Sequence, residues 1–263
     1  MRRFRCGKSL TGASLVLLCL WMAGCTTSIY NWQVRTNSTL VAPSFDRLSV
    51  EEKPVAILPT LSMPALRGTE VGFSHQLAQV LRKLIPNWNV VGEQAALTAI
   101  NRQGLGAEYT RMRRDAEDTH LLDRESLRKI GAAIGVRYLF QPRLAWFTQT
   151  MTERWKVPGV ELRVAETRSS VMRVSLQLWE AESGELIWFS TAETILANEG
   201  VSQDPVFLEE ATRVTLGGIM ADFLNRRTSS RYTPLDETLN QLIGSSAPAE
   251  QKNGNSGEGA KKE

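Results

Sequence analysis

The sequence predicts an α/β (α+β) fold, a mixed β-sheet packed by helices, on three observations. Short apolar runs of strand length alternate with amphipathic helical stretches between residues 55 and 147. Met172, Val174, Leu176 and Leu178 alternate with Arg173, Ser175 and Gln177, which makes a strand with one buried and one polar face. A last helical stripe, Leu216, Ile219, Met220 and Phe223, closes the series.

Each element follows from its local pattern. Val55-Ala56-Ile57-Leu58, closed by Pro59, suits a buried strand. Leu77, Val80, Leu81 and Leu84 fall at i, i+3, i+4 and i+7, one apolar helical stripe ended by Pro86-Asn87. Trp88 to Val91 forms a second strand, and a helix from Glu93 to Gln103 stops at Gly104. Residues 104–122 set Arg111, Arg113 and Arg114 beside Asp115, Glu117 and Asp118 and read as a solvated helix or loop. Asp123 caps a helix carrying Leu127, Ile130 and Ile134, and Gly135 ends it. Val136 to Phe147 is a long strand in which Pro142 marks an edge or a bulge. Beyond the alternating strand, Glu182-Ser183-Gly184-Glu185 turns the chain and Leu186 to Ile195 returns. Asp204-Pro205 opens the last helix, aspartate as cap and proline at the first position. From Gly244 onward Gly, Ser, Asn, Lys and Glu dominate, the composition of a disordered tail.

The first 25 residues carry an address. Arg2, Arg3, Arg5 and Lys8 precede an apolar run from Leu10 to Met22, the layout of a secretory signal peptide. Met22-Ala23-Gly24-Cys25 resembles a bacterial lipobox. That resemblance implies cleavage after Gly24 and a diacylglycerol and an N-acyl chain on Cys25, with no other cofactor. Thr26, where an aspartate would retain the protein at the inner membrane, favours the outer membrane, periplasmic face. One acyl chain binds a bilayer marginally, whereas three hold it firmly. Loss of residues 1–24 removes Cys6 and Cys19, so no disulfide is available and stability rests on a packed core. It also removes four of the 31 basic residues, leaving 27 against 28 acidic ones, a balance that gives nucleic-acid binding no electrostatic support.

The organisation expected is a signal peptide at 1–24, a lipidated arm at 25–53, a folded domain at 54–230 and a C-terminal extension at 231–263, disordered from about 244. Asn31, Asn37, Ser38, Pro43 and Ser44 interrupt any period in the arm, which reaches about 90 Å if extended. Ile29, Tyr30, Trp32, Val41 and Phe45 make it more apolar than a spacer, suited to docking on the domain or on a neighbouring subunit.

Chemical constellations are sparse. His75 and His120 are the two histidines, and no HExxH or paired-cysteine pattern accompanies them, so no metal site is expected. Gly-x-Ser-x-Gly is absent, and Gly104-Leu105-Gly106 lacks the Lys-Ser/Thr of a phosphate loop and reads as a helix stop. Glu180, Glu182 and Glu185 cluster where a turn is predicted, and a solvated turn explains them better than glycosidic chemistry. No catalytic residue is assigned. Trp146, Trp155, Trp179 and Trp188 concentrate in the β half and read mainly as packing. Trp155 in a charged loop and Trp32 on the arm are the candidate interface residues, at a membrane or subunit contact.

Val55-Ala56-Ile57-Leu58-Pro59, the helix at 72–85, the Leu127–Gly135 helix feeding Val136–Phe140, and the Trp179–Trp188 hairpin form a recurring series. Their order resembles the domain of CsgG-type curli-secretion lipoproteins and the TolB amino-terminal sandwich, with PelC-type exopolysaccharide-export lipoproteins as relatives. The resemblance covers residues 20–225 and implies a homo-oligomeric ring and envelope or export partners. CsgG-type subunits also contribute two long hairpins to a membrane barrel. Their places here would be 148–170 and 196–205, but Glu153, Arg154, Lys156, Glu161, Arg163, Glu166 and Arg168 break the lipid-facing alternation. The expected function is therefore a non-enzymatic scaffold or accessory subunit in envelope assembly or export. The alternatives are an oligomeric secretion-channel subunit and a periplasmic hydrolase or glycan-binding domain.

Overall fold

Four antiparallel strands carry the sheet: Ile29–Ser38 (β1), Tyr138–Lys156 (β5), Arg163–Glu180 (β6) and Leu186–Gly200 (β7). Val55–Ile57 (β2), Leu61–Ser62 (β3) and Val90–Val91 (β4) add short parallel pairings, and Ser229–Ser230 (β8) pairs with β1. The order is β4-β2-β5-β6-β7-β1-β8, with β3 beside β5. The structure, a computed structural model, describes residues 29–46, 52–66, 68, 72–156, 163–200 and 208–230. The expected signal peptide, Cys25, the helix opening predicted at Asp204-Pro205 and the expected extension at 231–263 lie outside them.

Helices cover both faces of one half of the sheet. Phe73–Leu84 (α1) and Leu208–Asn225 (α5) pack on the first face over Tyr138, Phe140, Met172, Leu176, Leu178 and Trp188. Glu93–Arg102 (α2), Gly106–Thr119 (α3) and Arg124–Ile134 (α4) cover the second over Ala56, Leu58, Leu139 and Trp179. The i, i+4 pair Leu77 and Leu81 is completely buried, each side chain contributing about 1.5–3 kcal/mol by burial. Asp123 caps α4 by accepting from the Ser126 N–H at 2.9 Å, and Gly135 ends that helix in the left-handed conformation, φ 81°.

Three stretches differ from the sequence reading, and a fourth, 104–122, is resolved in favour of one of its two alternatives. The arm predicted at 25–53 is a sheet strand from residue 29: β1 pairs with β7 over ten consecutive positions, from Ile29 opposite Glu199 to Ser38 opposite Ser190. The ladder reaches across more than 150 residues, and the polar Asn and Ser that break the local period do not prevent it. The ambiguous 104–122 segment is α3, with Tyr109, Met112 and Ala116 buried along one stripe. Pro142 is at neither an edge nor a bulge. It faces Leu176 on one side and lies where β2 gives way to β3 on the other, so its missing N–H falls in the gap between two ladders. Within the charged stretch, residues 148–156 continue β5 and 163–170 continue β6, so Trp155 lies in a strand rather than a loop.

That continuation makes a four-stranded ribbon, in order β5-β6-β7-β1, extending past the short parallel strands. Helix α5 crosses the first face of β1 closely: a Cβ built on Gly218 would meet the Val34 Cγ1 at 2.8 Å. Ser38 shares a hydroxyl contact with Ser190 at 2.7 Å and donates to Asp222 of α5 at 3.1 Å. Gly218→Val is expected to destabilise the protein by about 1–3 kcal/mol through overpacking, measured by urea unfolding, and to loosen β1. Asp123→Ala is expected to cost about 1 kcal/mol in the same assay, and to leave β1 in place.

Candidate functional site

The second face of the sheet is covered by α2, α3 and α4 at one end only, and the uncovered part is the floor of a cleft. Its origin is a β-bulge: the register of β5 against β6 shifts between Leu144 and Trp146. Before the shift Leu144 is buried in the first core; after it Trp146 faces solvent, half exposed at 50%. One row of the sheet then runs Arg35, Glu193, Arg173, Trp146 across β1, β7, β6 and β5. Arg173 forms a cross-strand ion pair with Glu193.

Arg143 builds the wall of this cleft. Its guanidinium donates to the carbonyl oxygens of Ala116 at 2.6 Å and Glu117 at 3.1 Å, satisfying the C-terminal end of α3. Burial lowers the Arg143 pKa against the nearby Glu117 and Asp118 carboxylates. His120 follows with φ 63°, and its carbonyl accepts from Gln177 of β6 at 3.1 Å. Ser62, Met63 and Pro64 line the same flank, since β3 pairs with β5 beside Arg143, and the cleft volume is about 810 Å³. Arg35, Asn37, Ser175 and Thr191 complete the floor. Arg143 is engaged with backbone carbonyls, Arg173 with Glu193, and Arg113 with the Thr60 carbonyl and Glu117. The arrangement sets hydrogen-bonding groups beside Met63, Phe189 and Trp146. The sequence held the signal for this cleft only in Arg143 and Trp146, whose directions depend on the bulge.

The acidic turn has a structural task. Glu180 is buried, takes the Arg137 Nε–H at 3.0 Å and accepts the Ser183 N–H at 2.7 Å, so it locks the 181–185 turn to the start of β5. Burial pushes its carboxyl up, but the Ser183 hydrogen bonds and the Arg137 guanidinium outweigh that and hold it below the usual carboxylate range. Glu182 and Glu185 are exposed. His75 sits exposed on α1 beside Gln79, at 2.9 Å. Among the described residues, no group of three His, Cys, Asp or Glu could hold a metal ion.

Of the candidate interface residues, Trp32 lies opposite Leu196 in β1 and Trp155 opposite Ala165 in β5. Both are on the ribbon, but the row through Trp32 crosses β5 six positions before Trp155, and three strand spacings of about 4.8 Å also separate the two strands. The structure therefore does not bring them together. Gly24 and Cys25 lie outside the described residues. The predicted packing role of the other tryptophans holds for Trp179 and Trp188, which are buried, and not for Trp146.

Because the folded-state pKa of Glu180 is depressed, its contribution is complete above the ordinary carboxylate pKa, about 4.3, and is lost as pH falls through the lower folded value. Glu180→Ala is expected to cost about 1.5–3 kcal/mol at pH 7. The deficit should shrink on acidification below about pH 4. Urea unfolding of both proteins across that range measures it.

No family model matches the chain, and no curated protein matches it. Among solved structures it is similar to a PelC dodecamer from Paraburkholderia phytofirmans, with 11% identity, TM-score 0.38, and 73% of this chain and 96% of that one covered. Lipoprotein GNA1162 from Neisseria meningitidis gives 14% identity and TM-score 0.38 over 66% of this chain and 96% of that one. The LpoB C-terminal domain from Salmonella enterica gives 15% and 0.32 over 54% and 81%. At these TM-scores the likenesses assign neither family nor activity, and the resemblance to CsgG and TolB amino-terminal domains rests on the sequence pattern alone.

Proposed function

We propose that this chain is a lipid-anchored envelope protein, a non-enzymatic scaffold or accessory subunit of assembly or export at the periplasmic face of the outer membrane. The observation that supports this reading most is the position of β1. Ile29 stands four residues after the lipobox Cys25 and opposite Glu199, at the far end of the ribbon. Four residues span at most about 14 Å. An acylated Cys25 would therefore hold the ribbon end, with Trp32 and Trp155 on it, close to the bilayer. The 181–185 turn lies at the other end of β7, whose 15 residues extend about 50 Å. On this reading the body stands away from the membrane and presents its cleft sideways to a partner. Among the described residues, no helix is long and apolar enough to cross a membrane.

A secretion-channel subunit is the second reading, favoured by the length of β5 and β6, 19 and 18 residues against the 9–11 that span a bilayer. Glu153, Arg154 and Lys156 of β5 and Arg163, Glu166 and Arg168 of β6 interrupt the apolar alternation a lipid-facing band needs. The scaffold reading accounts for the charges without moving them into lipid.

Mass spectrometry of the amino-terminal peptide from the membrane fraction is expected to show a triacylated Cys25. Cys25→Ser is expected to abolish that modification and membrane retention together. An unmodified Cys25 in the mature protein, or unchanged membrane retention of the variant, would contradict the proposal.

A further inference from the structure

The ribbon has a helix on one face and none on the other. Among the described residues, the core beneath α2, α3 and α4 takes only Trp179 and Ala181 from the β6 end and no residue of β7. On the first face α5 closes the outer rows: Met172, Thr194 and Leu196 are buried, and the Thr194 and Thr215 hydroxyls meet at 2.6 Å. On the second face three apolar side chains cross the strands. Ile195 of β7 stands opposite Val171 of β6, and Trp146 of β5 is the diagonal neighbour of Val171. Ile195 and Val171 are half-buried, Trp146 is half exposed, and exposed Arg35 stands at the β1 end of the adjacent row.

The chain returns to this place after α5. β8 pairs antiparallel with β1, Ser229 opposite Asn37 and Ser230 opposite Thr36, so at Ser230 the chain heads along β1 toward the level of Arg35. Residues 231–263 lie outside the described residues, but their sequence carries a helical pattern. Leu235, Leu239, Leu242 and Ile243 fall at i, i+4, i+7 and i+8, one apolar stripe, with Glu237, Asn240 and Gln241 off it. Start and stop signals agree with it: Thr233 as cap, Pro234 at the first position, Asp236 and Glu237 in the first turn, and Gly244 after the last apolar residue.

Reach and charge match this stripe to the open face. The three residues 231–233 span at most about 10 Å, which keeps Pro234 near the β1 edge. Ten residues, 234–243, rise about 15 Å as a helix, and the three strand spacings from β1 to β5 measure about 14 Å. The first face at this level is already taken by α5. Asp236 and Glu237 would enter beside Arg35, a pairing of opposite charge at the edge where the helix begins.

We propose that residues 234–243 form an amphipathic helix packed on the second face of the ribbon of their own chain, Leu235, Leu239 and Leu242 against Ile195, Val171 and Trp146. The contact needs neither an acyl chain nor a second copy, so it stands apart from the scaffold reading. Docked there, the helix roofs the outer part of the cleft, and a partner entering over Trp146 must displace it.

Cysteine chemistry on the full-length protein in mild detergent tests this, read by peptide mass. Leu242→Cys/Thr148→Cys is expected to form an internal disulfide at least about tenfold faster than Gln241→Cys/Thr148→Cys, whose first cysteine points off the stripe. With Thr148→Cys alone, Leu239→Asp/Leu242→Asp is expected to speed maleimide labelling of that cysteine at least about tenfold by undocking the helix. Equal disulfide rates for the two pairs, or labelling unchanged by the aspartates, would overturn the proposal. So would a disulfide joining isotopically labelled and unlabelled chains in a mixed sample, which would seat the segment on another copy.

Discussion

The ladder between β1 and β7 joins the amino-terminal part of the chain to the far end of the sheet, and much of the architecture depends on it. Ten successive residue pairs hold it, the Ser38, Ser190 and Asp222 hydroxyl–carboxylate contact closes its inner end, and Gly218 lets α5 lie against Val34. Without β1, one flank of α5 would lose its floor and β7 would become an edge. With β1 in place, three residues, 26–28, separate Cys25 from the sheet, so an anchor at Cys25 would act through a short tether. The same strand fixes which end of the domain an anchor would face.

The second constraint is the bulge after Leu144. On its inner side β5 is flanked on both sides and packed on both faces. On its outer side β5 becomes a ribbon strand with Trp146 exposed. One extra residue thus separates a stretch of β5 that is packed on both faces from a stretch in which Trp146 faces solvent. Arg143, the residue before Leu144, fastens the end of α3 to this boundary and shapes the cleft wall.

Much of the fold was legible because its period is local. The Leu77–Leu84 stripe, the Asp123 cap and the Met172–Leu178 alternation each report one buried face within a few residues, and the structure has an element at each. The stripe of α3 was present in Tyr109, Met112 and Ala116 but was masked by the charges around it. β1 was not legible: Asn31, Asn37 and Ser38 look like a linker, and what orders them is a partner strand over 150 residues away. The ribbon halves of β5 and β6 were hidden for a related reason, since Glu153, Arg154, Lys156, Arg163, Glu166 and Arg168 interrupt any apolar period. The cleft followed neither pattern, because a bulge reverses which residues face it.

Hydrogen exchange of the full-length protein in mild detergent tests the central claim, that residues 29–38 are an integral strand of the sheet. Amides of β1 whose partners lie in β7 should exchange on the order of a hundredfold or more slower than an unstructured chain, and together with those of β7. Exchange of residues 29–38 at the rate of a free chain, with β7 still protected, would contradict the account and return this stretch to the role of a tether.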